Sequence, residues 1–223
     1  MASPPRTTLY QILIGQGWFA FLGFLFGSPP WDRFPYSFDI ASIAIGVATG
    51  LASSLLLALV PDGLLRSLGQ QLRLVVERYQ WPILAPLGPV GWIVVALAAG
   101  IGEEFFFRGF VQEAFVQRTN LVMGILLASG IFGLFHWMHW SIVLFTGLLG
   151  IYFGLLYHLS GNIVVPILAH AAHNIVSFFL AAKLFGYPVR EEPVQRGNGL
   201  ADAVSSARDD GIPPFDQQRS DLT

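Results

Sequence analysis

The sequence predicts an all-α fold, a polytopic membrane helix bundle, on three observations. Hydrophobic residues make up 54% of the 223 and charged residues only 12%, where a soluble domain carries about 25% charged. Several apolar runs reach the roughly 20 residues that a spanning helix needs. The stretches between them are short and polar or contain proline, as membrane-surface loops do.

Residues 9–27 read as a first span, left uncleaved because Ser28-Pro29-Pro30 is a poor small-residue cleavage site. A proline-rich loop, 28–37, leads to a second span at 40–60. Composition then shifts: Arg66, Arg73 and Arg78 stand with Asp62 and Glu77 among leucines and valines. Leu65, Leu68, Leu72 and Val76 repeat at helical spacing, which predicts an amphipathic segment on the membrane surface, apolar face to lipid and basic face to headgroups. Its arginines put this loop, and the N-terminus with it, in the cytoplasm. A break falls in 81–88, which carries two prolines. Long spans are expected at 89–117, 121–138, 141–159 and 163–185, about six spans in all, with both termini on the cytoplasmic side. The expected divisions are two N-terminal helices (1–60), surface segment and linker (61–88), a main bundle (89–185) and a disordered polar tail (186–223).

Composition excludes other classes. A net charge of −2 and a pI near 6.2 leave no basic stripe for nucleic acid. The absence of cysteine removes disulfides, zinc fingers, iron–sulfur clusters and a thiol nucleophile together. A transporter would show inverted halves or broken-helix pairs, and no internal repeat is visible.

Charge inside the bundle is the exception that needs a reason. Gly102-Glu103-Glu104-Phe105-Phe106-Phe107-Arg108-Gly109 puts three ionisable groups in an apolar run, where each costs about 3 kcal/mol on insertion scales. On a helix, residues four apart lie about 40° apart, so Glu104 and Arg108 share a face in the favourable order for an ion pair. Glu103 is turned about 100° away and has no local partner. Later helices bring further polar groups: His136 and His139 three residues apart, then His170 and Asn174 one turn apart, with Ala171 and Ala172 small enough for close helix approach. All five histidines fall between 136 and 173. Polar groups in a membrane face inward and seek one another, so Glu103, His136 and His170 are expected to share a cavity. His158, at a predicted helix end, is expected to be bland.

Glu103-Glu104-x-x-x-Arg108, Phe132-x-x-x-His136 and His170-x-x-x-Asn174, in this order on successive membrane helices, resemble the three motifs of the CPBP family. This is the group of CAAX prenyl endopeptidases and bacteriocin-processing or abortive-infection proteins. The resemblance covers roughly residues 90–180. It implies an intramembrane endopeptidase of glutamate type, acting on a membrane-associated peptide or a CAAX-type C-terminus, prenylated or not, at the lipid bilayer. By resemblance, Glu103 activates water with help from His136. His170 and Asn174 donate to the oxyanion, and Glu104 with Arg108 support the site. Phe135-x-x-x-His139 fits the second motif too, and His139 stays a candidate. Glu103, His136 and His170 also form a His₂Glu set of the kind that holds catalytic zinc. The lack of any His-Glu-x-x-His in the sequence nevertheless favours a metal-free route. The rival from another class is a catalytically silent membrane scaffold or immunity protein that uses the same polar cluster to bind a partner or protons.

Overall fold

A computed structural model describes residues 5–26, 37–59 and 66–186. These form a helical bundle: α1 (Pro5–Phe26), α2 (Ile40–Leu59), α3 (Arg66–Val75), α4 (Gly88–Glu104), α5 (Leu121–Phe135), α6 (Trp140–Ser160) and α7 (Val164–Phe185). The expected loop and tail, apart from Ser37 and Gly186, lie outside the described residues, as does Leu65. By length and composition, Arg6–Phe26, Leu68–Arg118, Trp140–Ser160 and Val164–Phe185 can each cross a membrane, while Ile40–Leu55 and Leu121–Phe135 are shorter apolar helices. Large apolar side chains such as Val90, Leu97, Ile101, Leu126 and Leu148 stand exposed on the outer faces. That is stable only against lipid, and the chain is an integral membrane protein.

α7 is the centre of the bundle, packed against α2 on one side and α4 on the other. Missing side chains make this possible. A Cβ at Gly46 would meet Leu168 and Val165, and one at Gly50 would overlap the carbonyl of Ala169. Gly46-x-x-x-Gly50 is thus a small-residue seam on which α7 lies backbone to backbone. Gly100 does the same for α4 against Ile167 and Ala171. At one end the buried Asn162 locks the arrangement. Its amide donates to Ser37 O and Ser42 Oγ, both at 2.9 Å, while its carbonyl oxygen accepts from Val164 N at 3.1 Å.

The long helix expected at 89–117 is continuous but not α-helical throughout. After Glu104 the backbone widens into a π-helical stretch, Phe105–Gln112, before Glu113–Arg118 resumes the α form. Such widened turns are rare and concentrate at functional sites. The break in 81–88 is present: a single turn, Trp81–Leu84, tightens through Ala85–Leu87 and ends at Gly88, whose φ of 68° suits a residue without Cβ.

The surface segment departs from expectation. The apolar side of α3 does not face lipid. Leu72 and Val75 are buried against Ile142 of α6, with Leu68 and Phe145 beside them. An apolar stripe satisfies lipid or protein equally, so periodicity could not choose between them. α5 also stops earlier than the expected 138, at Phe135, because the chain turns at His136 and restarts at Trp140.

Candidate active site

Glu104 and Arg108 are fully buried and paired, with Arg108 Nε 3.0 Å from Glu104 Oε2. The guanidinium lies between two rings, its carbon 5.0 Å from the centroid of Phe132 and 6.0 Å from that of Phe153. This is a cation–π seat that gives a desolvated cation a second source of attraction. The other oxygen of Glu104 accepts a hydrogen bond from His170 Nδ1 at 2.8 Å. His170 stacks flat on Phe153, centroids 4.9 Å apart at 14°. Glu104 is therefore occupied on both oxygens, and His170 is fixed in position and tautomer.

Glu103 is placed differently. It is 6% exposed. Its Oε1 accepts a hydrogen bond from Gln16 Nε2 of α1 at 2.7 Å. Its Oε2 makes no hydrogen bond and faces two imidazole nitrogens, His136 Nε2 at 3.7 Å and His170 Nε2 at 3.9 Å. These separations exceed a hydrogen bond. His136 Nδ1 lies 2.9 Å from the carbonyl of Phe132, which can only accept, so Nδ1 carries the proton. With Nδ1–H committed in both rings, Nε2 is the nitrogen that each imidazole turns toward Glu103.

Three of the expected site residues thus meet, although His136 lies beyond the end of α5. The residue caps that helix, and its ring hangs into a cavity of about 650 Å³ that also takes in Glu103, His170 and Asn174. Asn174, half-buried and one turn after His170, lines the same wall. Most of the remaining lining is apolar, with Phe145, Leu149, Phe178 and Leu184 among it. His139 goes elsewhere. It caps the start of α6, with Nδ1 2.8 Å from Ser141 Oγ and accepting from Ser141 N at 3.3 Å. His158 is exposed at the end of α6.

Two residues of the site were not anticipated. Gln16 reaches Glu103 from a helix that the motif pattern does not cover. Its signal, an amide inside an apolar span, is shared with Gln11 and so was ambiguous. His173 is 3% exposed, lines the cavity, and holds Ser53 Oγ of α2 at 2.9 Å through Nδ1. It stands at an unspecified position inside His170-x-x-x-Asn174, so the motif gave it no role of its own.

Among the described residues no group of three His, Asp or Glu side chains is arranged to hold a metal ion.

Comparison with known proteins bears on the same region. Residues 85–176 match the family described as "Type II CAAX prenyl endopeptidase Rce1-like". That segment contains Glu103, Glu104, Arg108, His136, His170 and Asn174, and excludes Gln16. The chain is also 35% identical over 86 residues to the protein named "Putative membrane peptidase YdiL" from Bacillus subtilis (strain 168), over 39% of this chain and 35% of that one. The matched segment therefore spans about a third of the length of that curated relative. No solved structure matches the chain.

Proposed function

We propose that this chain, whose residues 85–176 match the Type II CAAX prenyl endopeptidase Rce1-like family, belongs to the CPBP family and is an intramembrane endopeptidase with Glu103 as its general base. The observation that carries the reading is the asymmetry of that carboxylate: one oxygen held by Gln16, the other buried, unbonded and between two Nε2 atoms. A water set between Glu103 Oε2 and His136 Nε2 can donate one proton to each. Its oxygen lone pair is then left to attack a peptide carbonyl carbon. Glu103 takes one proton as the carbon–oxygen bond forms.

The oxyanion that results needs donors. Asn174 can offer its amide N–H. His170 can offer Nε2–H when its ring has taken up a proton from solvent before the attack, a charge that Glu104 would balance through Nδ1. A well-placed donor contributes about 3 kcal/mol in other hydrolases. Collapse of the tetrahedral intermediate breaks the carbon–nitrogen bond, and the proton held on Glu103 passes to the leaving amine. Glu104, paired with Arg108 on its own helix, keeps α4 and α7 in register through His170. No step in this route requires metal. Zinc held by Glu103, His136 and His170 is the rival that a chelator addresses.

The substrate class we infer is a membrane-associated peptide, or a CAAX-type C-terminal peptide with or without a prenyl group. The apolar cavity wall around the polar end supports that inference. Both chain ends would lie in the cytoplasm, with the arginines of the α3 region on that side. The test is cleavage of a panel of prenylated and unprenylated peptides by purified protein in detergent with chelator. Turnover by wild type and none by Glu103→Gln is expected. A folded wild-type protein that cuts none of them would favour the silent scaffold or immunity protein instead.

A further inference from the structure

We infer that Gln16, on a helix outside the family-matched segment, is a positioning residue that fixes which oxygen of Glu103 works. The inference rests on the endopeptidase reading above. A glutamate carboxylate rotates broadly about its last torsion, so its two oxygens are equivalent unless something distinguishes them. Here Gln16 Nε2 donates to Oε1 at 2.7 Å. Only the amide nitrogen can face a carboxylate in this way, since the amide oxygen would be repelled. With Oε1 held, Oε2 is presented to the two imidazoles.

The approach of α1 to this point is built into the backbone. A Cβ at Gly102 would run into the carbonyl oxygen of Gln16 and would stand 2.9 Å from its Oε1. A little further along α1, Phe19 packs against Phe106 and Phe107, with centroids 5.3 and 5.9 Å apart. These contacts set the register that places Gln16 beside Glu103 and not a turn away. Gln16 makes this one bond, while its own Oε1 is buried without a hydrogen-bond partner among the protein atoms of the described residues. An apolar residue of similar length would leave Glu103 Oε1 bare instead, the costlier loss because that oxygen belongs to a charged group. Gln16 thus supplies both a partner for Glu103 and its orientation.

The experiment compares wild type, Gln16→Met, Gly102→Ala and the control Gln11→Met, each purified in detergent and matched for melting temperature. Two readouts are taken. One is the infrared difference against a Glu103→Gln protein, which isolates the carboxyl bands of Glu103. The other is kcat and KM on whichever peptide the wild type cuts. Losing a charge-assisted hydrogen bond should move those bands and lower kcat tenfold to a hundredfold, on the order of its usual worth, with KM changed less than about twofold. Gly102→Ala should move the bands the same way, and Gln11→Met should leave both readouts alone.

Unmoved bands in a well-folded Gln16→Met protein would overturn the inference, whatever the activity. So would a raised KM at constant kcat, which would make Gln16 a substrate contact. Moved bands in a protein that cuts no peptide would leave the Gln16–Glu103 bond standing and overturn the endopeptidase reading instead.

Discussion

Glu104 and His170, 66 residues apart in sequence, are joined at 2.8 Å inside the bundle. The contact ties α4 to α7 at the level of the candidate site and commits one nitrogen of His170. Since Arg108 holds the other oxygen of Glu104, removing any of the three exposes the others.

Arg108→Met should therefore leave the Glu104 charge buried and unmatched, at a cost of about 3–5 kcal/mol. Thermal unfolding in detergent reads this directly. The double variant Glu104→Gln with Arg108→Met should recover part of the loss, because both charges are then gone. A single variant that melts with the wild type would contradict the ion-pair assignment.

This pair was legible in the sequence because both partners sit on one helix, four residues apart. Glu103 was legible as the carboxylate without a local partner. The choice between His136 and His139 was not, since three residues separate them and the outcome depends on where α5 ends. Gln16 was invisible for another reason: its partner is 87 positions away, and nothing in α1 points across the bundle. The apolar face of α3 was read correctly as a face and wrongly as lipid-facing, because hydrophobicity reports burial but not what does the burying. Spacing also gave no warning of the π-helical stretch after Glu104, since the apolar run continues through it.

His136 and His139 should separate cleanly in experiment. His136→Ala should abolish peptide cleavage with little change in melting. His139→Ala should keep cleavage while costing about 1 kcal/mol, as loss of a helix cap does elsewhere. Activity lost with His139 and kept without His136 would reverse the assignment.

Gly50→Leu should force α2 away from α7, because its side chain has no room at the carbonyl of Ala169. Overpacking of this kind costs about 1–3 kcal/mol. Activity should fall too, since Ala169 precedes His170. A variant as stable as the wild type would mean that the seam between the two helices is loose.

Asp39 offers a pH test. Its carboxylate lies just outside α2, accepting from the hydroxyl of Ser37 and from Ser42 N, and these bonds hold its pKa down to about 2. The folded value lies below the unfolded value of about 3.9. The stabilising contribution is thus fully present above pH 4 and is lost as pH falls through 2. Asp39→Asn should flatten that part of the stability profile measured by detergent unfolding. An unchanged acid limb would show that the cap does not form.

The role of Glu103 as a metal-independent base is decided by cleavage of the peptide panel, in the presence of chelator, by wild-type and Glu103→Gln protein of equal melting temperature. Turnover by the wild type that chelator does not remove is expected, with none by the variant. Cleavage retained by Glu103→Gln, or wild-type activity that disappears with chelator and returns with zinc, would contradict it.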